Sequence, residues 1–340
     1  MKALYMEKRG SMELCERPIP EVEEGWALIK MHKCGFCGTD VHGFMGLADN
    51  YRYPVIIGHE AVGTIVEIDE NNDRGLKRGD RVTCEPYTSC GVCYSCRRGR
   101  YNNCEHLRCT GVHRDGMLAE YHSHPIHLIH KLPENMSDNA ACIVEPLAIG
   151  LNGTKRLDVQ PGEVCAVAGS GAIGILSALA CKARGGIPII CDIHDERLEY
   201  AKAMGIEYAC NNAKQDFAEY IRSVNGGQLA DCFYEACGDI EVCRHMCDFV
   251  ENTGRIVLLG WTHKEFVFDK DAIIRKEVDV FGSRNASHCF PGAINLISGG
   301  FVDAEKLISH EISIEEAIPT LRQMEEHPER FQKVIVNLEA

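Results

Sequence analysis

The sequence has little positive charge. Its 340 residues include 36 lysines and arginines against 50 aspartates and glutamates, which gives a net charge of −14. A chain with this charge repels nucleic-acid phosphates on average, so we do not expect a nucleic-acid partner. The N-terminus also lacks the apolar core of a secretion signal, because residues 3–6 are followed at once by Glu7, Lys8 and Arg9. We therefore expect a cytoplasmic protein whose thiols are reduced.

Membrane-spanning segments are not expected either. Residues 164–181 form an uncharged run of 18 residues, which is just long enough for a helix to span a membrane. Glycines and serines interrupt this run, and we interpret it as a buried strand followed by a buried helix. The sequence has no internal repeat and no low-complexity tract. At roughly 150 residues per domain, its length favours two domains.

Cysteine, in contrast, is abundant, with 19 residues. A disulfide framework is typical of small secreted domains and does not suit a chain of this length. The cysteines are therefore expected to be metal ligands, reactive groups or small buried apolar residues. We place Cys165, Cys191 and Cys232 in the last class. Five histidines also cluster in sequence and are expected at exposed polar strand positions, although a further metal site stays open as an alternative: His113, His122, His124, His127 and His130.

The spacing of apolar residues changes twice along the chain. Short apolar runs at residues 26–31, 60–68 and 79–84 are broken by Gly, Pro and Asp, which predicts a small β domain. After residue 160, strands alternate with amphipathic helices, a pattern typical of a doubly wound parallel sheet. In the tail, Ser313 and Glu316 form a capping box before a helix. The sequence thus predicts an α/β fold in which a domain of residues 153–285 is inserted into one formed by 1–152 and 286–340.

The elements of the inserted domain can be placed individually. Phe217, Tyr220, Ile221 and Val224 recur with the spacing of one helix face, and Gly205 ends the preceding helix. Strands are predicted at residues 164–168, 187–192, 208–210, 232–236, 255–259 and 278–281, and helices at 173–184, 196–204, 217–224 and 240–249. In the tail, a helix is predicted near 315–326 and a strand at 333–338.

Four cysteines occur close together on a polar, glycine-rich segment. Cys90, Cys93, Cys96 and Cys104 follow the pattern C-x2-C-x2-C-x7-C. Four thiolates at this spacing can surround one tetrahedral Zn²⁺ and leave no position for a substrate, so this zinc would be structural. The alternatives are four free thiols or an iron–sulfur site, and the latter is less well matched because the similar ferredoxin pattern has different spacing.

A glycine-rich turn follows the predicted strand 164–168 and opens a helix. Gly169, Gly171 and Gly174 form G-x-G-x-x-G in the context that dinucleotide binding requires. Asp192 ends the next strand, where its carboxylate can accept the ribose hydroxyls of adenosine and would repel a 2′-phosphate. NAD is therefore favoured over NADP, and Arg197 could soften that preference. The residues expected at the cofactor are Gly169, Gly171, Ala172, Ile173, Gly174, Asp192, Arg197, Leu259 and Ser283.

A second, open metal site is indicated by residues that are scattered along the sequence. A thiolate from the segment with Cys34 and Cys37, the imidazole of His59, and one or two carboxylates from Glu60 and Glu145 are available. This set suits zinc while leaving room for water or substrate. Each residue alone is a weak signal, and the hypothesis gains its weight from occurring together with the glycine-rich turn.

With these three groups of residues, the chain resembles the zinc-dependent medium-chain alcohol dehydrogenases over nearly its whole length. It is most similar to the sorbitol dehydrogenase-like branch, which includes dehydrogenases of sugar acids such as L-galactonate, L-idonate and L-gulonate. The resemblance implies a GroES-like β domain with an inserted Rossmann domain. It also implies two zinc ions and NAD as cofactors, and a homodimer or homotetramer as the assembly.

The resemblance further implies roles for individual residues. Cys37, His59 and Glu60 match the ligands of the catalytic zinc, and Glu145 matches an acid that binds zinc or its water. Asp40 matches a carboxylate that orients His59. The other matches are the proton relay of Thr39 and His42, the structural-zinc ligands Cys90, Cys93, Cys96 and Cys104, and the substrate contacts Arg284 and Asn285.

The expected reaction is hydride transfer between NAD and a secondary alcohol of a sugar acid or polyol. A sugar acid is favoured over a neutral polyol by Arg284 and by the resemblance of the turn at residues 282–285 to that of hexonate 5-dehydrogenases, although Arg284 could instead pair with a nearby carboxylate. L-threonine dehydrogenase is the alternative within the family. An alternative of another class is a catalytically idle protein that binds zinc and a nucleotide.

Overall fold

The structure is a computed structural model and describes residues 1–48, 51–69, 71–262 and 264–339. The chain divides into two compact units. The first unit comprises Met1–Glu145, Ala293–Gly300 and Ile308–Ala340, and the second comprises Pro146–Gly292 and Phe301–Leu307. The domain boundaries at 152/153 and 285/286 stay predictions from the sequence.

Strands are the main elements of the first unit and alternate with helices in the second. Within the described residues they are β1 (Lys2–Lys8), β2 (Ser11–Glu16), β3 (Trp26–Gly35), β4 (Val55–Ile56), β5 (Glu60–Ile68), β6 (Arg81–Cys84), β7 (Tyr87–Thr88), β8 (Arg108–Cys109), β9 (Tyr121–Pro125), β10 (Ile129–Lys131), β11 (Val164–Ala168), β12 (Ile187–Asp192), β13 (Tyr208–Asn211), β14 (Ala230–Glu235), β15 (Val250–Leu258), β16 (Asp279–Gly282), β17 (His310–Ser313) and β18 (Val334–Asn337).

The α-helices of the same described residues are α1 (Gly38–Met45), α2 (Tyr94–Arg97), α3 (Asp138–Ala141), α4 (Val144–Leu157), α5 (Ala172–Ala183), α6 (Asp195–Ala203), α7 (Phe217–Val224), α8 (Ile240–Arg244), α9 (Lys270–Lys276), α10 (Phe290–Ser298) and α11 (Ala317–Glu326). Short 3-10 helices cover Tyr101–Asn103, Ile126–Leu128, Met246–Phe249, Ala304–Leu307, Ile314–Glu316 and Pro328–Arg330.

The second unit is built on a parallel sheet in the order β13-β12-β11-β14-β15-β16. This order places the first strand of the unit in the middle of the sheet, which is the doubly wound arrangement that the sequence predicts. β11 is buried along its whole length, as expected for a central strand of such a sheet. Cys165, Cys191 and Cys232 are buried in these strands, so their predicted role as small apolar residues fits the structure.

The first unit is built mainly on β-sheets, as the short apolar runs predict, and its strands pair antiparallel except β17 and β18, which pair in parallel. Its larger sheet has the order β10-β6-β5-β3-β18-β17, and β9 also pairs with β3. A smaller sheet has the order β2-β1-β4. The C-terminal strand β18 joins the larger sheet by pairing with β3, through Ile335 and Gly35 among other residues. The tail therefore completes the sheet that carries the candidate site.

Two expectations from the sequence are wrong. The predicted helix 240–249 is interrupted, because α8 ends at Arg244 and Met246–Phe249 is a 3-10 helix. His122 and His124 are not at exposed positions but are buried, and their rings lie 3.2 Å apart between Nε2 and Nδ1. His124 Nε2 also contacts the carbonyl oxygen of Glu85 at 3.0 Å, which satisfies a polar group inside the sheet.

In the part of the chain that the structure describes, no helix has both the length and the apolar character needed to cross a bilayer. The run 164–181 consists of β11, the glycine-rich turn and most of α5, as the sequence predicts.

Candidate functional site

Cys37 lies at the start of α1 in the first unit. It is the N-cap residue of this helix, and its backbone N–H donates to Asp40 Oδ2 over 2.9 Å. Asp40 is buried and also accepts a hydrogen bond from the Tyr51 hydroxyl at 3.3 Å. The helix cap thus fixes the backbone of Cys37. The described hydrogen bonds of Asp40 go to Cys37 and Tyr51, so its proposed role toward His59 stays a prediction.

The structure brings Cys37, His59 and Glu60 together. The sulfur, one ring nitrogen and one carboxylate oxygen of these residues all lie within 4.8 Å of one another. His59 and Glu60 are buried at the start of β5, and Cys37 is half-buried. The Nδ1 atom of His59 is buried and has no hydrogen-bond partner among the described residues. A sulfur, an imidazole and a carboxylate at this separation fit a zinc ion.

Lys333 neutralises the carboxylate of Glu60. Its Nζ atom lies 2.9 Å and 2.6 Å from the two oxygens, and it donates a third hydrogen bond to the Phe36 carbonyl at 3.0 Å. Both side chains are almost completely buried, with 4% and 1% exposed. Removing either partner would leave an uncompensated buried charge, which is strongly destabilising.

Glu145 lies in the first turn of α4 beside this group, with 3% of the residue exposed. The Tyr87 hydroxyl donates a hydrogen bond to its Oε1 atom. Burial raises the pKa of Glu145 to about 7, against the opposing effect of His59 and with support from the charge of Glu60. Among the described residues, Glu145 is outside the set of three whose ligand atoms lie within 4.8 Å.

Thr39 and His42 follow Cys37 along α1. The Thr39 hydroxyl lies 3.5 Å from the Cys37 sulfur and is half-buried, whereas His42 is exposed one turn further on. The two residues therefore lie between the metal-ligand group and solvent on one short helix.

The four clustered cysteines form a second group in the first unit. Their sulfurs lie within 4.8 Å of one another, with Cys104 Sγ 3.5 Å from Cys90 Sγ and 3.9 Å from Cys93 Sγ. Backbone N–H groups of Cys96 and Glu105 lower the pKa of Cys93 to about 6. A thiolate that is already favoured at neutral pH suits a zinc ligand. The donor set of Cys90, Cys93, Cys96 and Cys104 therefore fits a closed zinc site.

In the second unit, the glycine-rich turn joins β11 to α5. Gly169 has a φ of +100°, and a Cβ at Gly174 would lie 1.8 Å from the Gly169 carbonyl oxygen, so both positions need glycine. A Cβ at Gly171 would meet no atom within 4 Å, which leaves open space in front of the α5 N-terminus. Ala172 and Ile173 form the first turn of that helix. This space and the helix N-terminus fit a phosphate group.

Asp192 lies at the end of β12, next to the turn. Its Oδ2 atom accepts a hydrogen bond from the Ser170 backbone at 2.8 Å, and its Oδ1 atom accepts one from the His194 backbone at 3.0 Å. Arg197 Nη1 is 4.0 Å from Oδ2. The carboxylate is thus fixed beside the turn by two backbone groups.

The remaining predicted positions follow the last strands of this sheet. Leu259 continues from β15 and its N–H donates to the Glu235 carbonyl at 2.9 Å. Ser283 accepts a hydrogen bond from Asn152 Nδ2 at 2.8 Å. Arg284 and Asn285 are half-buried, and Asn285 has a φ of +51°. Their contacts with a substrate stay predictions.

Three residues at the site were not predicted from the sequence: Tyr87, Cys109 and Lys333. Burial raises the pKa of Cys109 to about 12, while the nearby His59 opposes this. Lys333 gives the clearest signal in the sequence, because it is a charged residue that directly precedes the apolar strand β18. Tyr87 and Cys109 have no comparable signal in the sequence. They lie opposite each other in the pairing of the short strands β7 and β8.

Comparison with known families identifies both parts of the chain. Residues 23–134 match the alcohol dehydrogenase GroES-like domain, and residues 172–299 match the zinc-binding dehydrogenase domain. An uncharacterised zinc-type alcohol dehydrogenase-like protein of Haemophilus influenzae is 36% identical, over 98% of each chain. The chain belongs to the zinc-type alcohol dehydrogenase family, in its sorbitol dehydrogenase-like branch, and the predicted combination of GroES-like and Rossmann folds is confirmed.

Other relatives carry more specific names. A sorbitol dehydrogenase of Halalkalibacterium halodurans is 33% identical over 93% of this chain and 94% of its own. An L-galactonate-5-dehydrogenase of Escherichia coli is 32% identical over 91% of each chain. The crystal structure of the alcohol dehydrogenase RspB from E. coli CFT073, determined with NADH, has a TM-score of 0.92 and 30% identity over 99% of each chain.

Proposed function

We propose that this protein is a zinc-dependent dehydrogenase that transfers a hydride between NAD and a secondary alcohol of a sugar acid or polyol. The observation that carries the proposal is the group of Cys37, His59 and Glu60, whose ligand atoms lie within 4.8 Å of one another. This group would hold a zinc ion, and Glu145 would place a second carboxylate beside it. When bound there, Zn²⁺ supplies Lewis-acid polarisation of the substrate oxygen.

The residues of the chain itself would move the proton. Thr39 Oγ1 is adjacent to the Cys37 sulfur and would accept the proton of the substrate hydroxyl while donating its own proton onward toward His42. His42 is exposed on the same helix and would pass the proton to solvent, because its ordinary pKa lies near neutrality. Asp40 would hold the backbone of Cys37 in place through the helix cap.

The second unit would bind the dinucleotide at the glycine-rich turn. Gly171 leaves the space for the pyrophosphate, and the N-terminus of α5 attracts its negative charge. Asp192 is fixed by two backbone groups and would accept the adenosine ribose hydroxyls, which favours NAD over NADP. Support for NAD also comes from RspB, which was crystallised with NADH.

The choice of substrate class rests on the relatives and on two residues. Two of the relatives are named sorbitol dehydrogenase and L-galactonate-5-dehydrogenase, and the substrates in these names are a polyol and a sugar acid. The carboxylate of Glu145 beside the zinc ligands lowers the net positive charge of the metal site and weakens its attraction for the oxygen of a simple alcohol. Neighbouring hydroxyls of a polyol or sugar acid would then help by adding contacts. Arg284 would pair with the carboxylate of a sugar acid. We expect the enzyme to act as a homodimer or homotetramer.

A substrate panel tests this proposal directly. Hexonates, hexitols, L-threonine and ethanol would each be supplied with NAD, and NADH formation would be followed by absorbance. We expect the highest kcat/KM for a hexonate or a hexitol, and a lower rate when NADP replaces NAD. The highest kcat/KM for ethanol or threonine would contradict the proposal. Activity with hexitols alone would remove the role of Arg284 and leave the class of reaction intact.

A further inference from the structure

Tyr87 and Glu145 form a buried pair next to the metal-ligand group. Tyr87 is 2% exposed and Glu145 is 3% exposed, and the tyrosine hydroxyl donates to Glu145 Oε1. The residues are 58 positions apart, so only the folded chain brings them together. A buried hydroxyl paired with a buried carboxylate is a specific arrangement, because either group alone would carry a desolvation cost.

The two carboxylates of the site have partners of different kinds. Both oxygens of Glu60 lie within 2.9 Å of the Lys333 ammonium, so that carboxylate is neutralised and fixed. Glu145 receives its hydrogen bond from a neutral hydroxyl at one oxygen. The described residues give its Oε2 atom no hydrogen bond. The orientation of Glu145 therefore depends on Tyr87.

We propose that Tyr87 is a positioning residue whose hydroxyl holds Glu145 beside the group of Cys37, His59 and Glu60 and keeps its carboxylate from joining that group as a permanent ligand. The inference rests on the proposed function, because it concerns the same zinc site. It accounts for the position of Glu145 outside the 4.8 Å group although the residue is buried near His59.

Removing the Tyr87 hydroxyl should strengthen metal binding at the site. In Tyr87→Phe the ring still fills its space, but Glu145 loses its hydrogen-bond donor while it remains buried. An unpaired buried carboxylate is costly, so it would turn to a cation of the site. The Lys333 ammonium already donates hydrogen bonds to Phe36 and to both oxygens of Glu60, which leaves the proposed metal as the cation that can accept a further oxygen. The variant should therefore hold the metal more tightly and with one more oxygen ligand. A tyrosine that only supports the fold would have the opposite effect, since its loss would loosen the site.

The experiment uses Co²⁺ in place of Zn²⁺, because its visible absorption bands report the ligands. Spectra and the rate of metal release to a chelator would be measured for the wild type, Tyr87→Phe, Glu145→Gln and the double variant. We expect Tyr87→Phe to change the bands and to slow release about tenfold. Both effects should be absent in the double variant relative to Glu145→Gln. Tyr53→Phe is a matched control, because that hydroxyl donates to the Gly43 carbonyl at 2.7 Å, and it should behave as wild type.

The outcomes separate this inference from the proposed function. Unchanged bands in Tyr87→Phe, faster metal release, or the same change in the Glu145→Gln background would each overturn the role of Tyr87. Cys37→Ser serves as the reference for the site itself. If Cys37→Ser leaves the cobalt bands as in wild type, the proposed metal site fails, whereas bands that need Cys37 but ignore Tyr87 contradict this inference alone.

Discussion

At the scale of single residues, charged side chains in the first unit tie distant elements together. Asp138 lies in the first turn of α3, where Oδ2 is 2.8 Å from His32 Nδ1 on β3 and Oδ1 is 2.5 Å from Arg81 Nη2 at the start of β6. The hydrogen bond with His32 lowers the pKa of Asp138 to about 2, with burial opposing and Arg81 adding to the effect. One carboxylate thus connects a helix to two strands.

We predict that Asp138→Asn destabilises the protein at neutral pH. The pKa of Asp138 is lower in the folded chain than its ordinary value of 3.8, so its contribution is fully present above about pH 4 and is lost as the pH falls toward 2. Allowing for solvent screening, the loss should be about 1–2 kcal/mol. The measurement is the free energy of unfolding in urea for both proteins from pH 8 to pH 3.

Comparing the two proteins at each pH isolates the carboxylate, because the other titratable groups are the same in both. The difference should be constant from pH 8 to pH 5 and should shrink below pH 4. A difference that is constant down to pH 3, or that first develops in acid, would contradict the role given to Asp138.

At the scale of elements, Gly171 and Gly174 in the turn between β11 and α5 are needed for different reasons: Gly174 for the backbone to pack and Gly171 for space at the proposed cofactor site. A Cβ at Gly174 would lie 1.8 Å from the Gly169 carbonyl oxygen, so alanine there forces the backbone to move. Alanine is the better helix former by roughly 1 kcal/mol, but a contact this short outweighs that gain. Gly171 has a φ of −73° and free space around its Cβ position, so alanine there meets no protein atom.

We predict different effects for alanine at these two positions. Gly171→Ala should keep the thermal midpoint of the wild type and weaken NADH binding about tenfold or more, since the methyl group occupies the space proposed for the pyrophosphate. Gly174→Ala should lower stability by roughly 1–3 kcal/mol. Fluorescence titration with NADH and thermal unfolding measure the two properties. Wild-type NADH affinity in Gly171→Ala would refute the proposed position of the cofactor.

The sequence predicts elements whose signal is local. The strand 164–168 and the helix 217–224 agree with β11 and α7, because burial on all sides and a single apolar face leave direct traces in residue spacing. The interrupted helix 240–249 has no such trace. The 3-10 turn at its end places Phe249 against Phe217 and Phe233, with ring centroids 5.4 Å and 5.1 Å apart, and that packing depends on distant elements.

The residues of the candidate site, like the elements of the fold, could be predicted only where the signal is local. Cys37, His59 and Glu60 could be named because their residue types suit zinc and because they match the zinc ligands of the family that the chain resembles. The partners that fix the carboxylates could not be named. Lys333 is 273 positions from Glu60, and Tyr87 is 58 positions from Glu145, so these pairs exist only once β18 and β7 have joined the sheets. The burial of His122 and His124 is unpredictable for the same reason.

At the scale of the whole molecule, the two metal-ligand groups belong to the same unit but differ in chemistry. The four cysteines would form a closed site that supports folding, whereas Cys37, His59 and Glu60 would leave a position for substrate. Loss of a structural zinc removes folding free energy directly. Cys93→Ser should therefore lower the thermal midpoint, and Cys37→Ser should leave a folded protein without turnover.

Zinc content per chain in the purified wild type, Cys37→Ser and Cys93→Ser distinguishes the two proposed metal sites. We predict two zinc ions in the wild type and one in each variant. Cys37→Ser should also keep the thermal midpoint of the wild type, whereas Cys93→Ser should have a lower one. A single zinc or none in freshly purified, active wild type, or two zinc ions in active Cys37→Ser, would contradict this prediction.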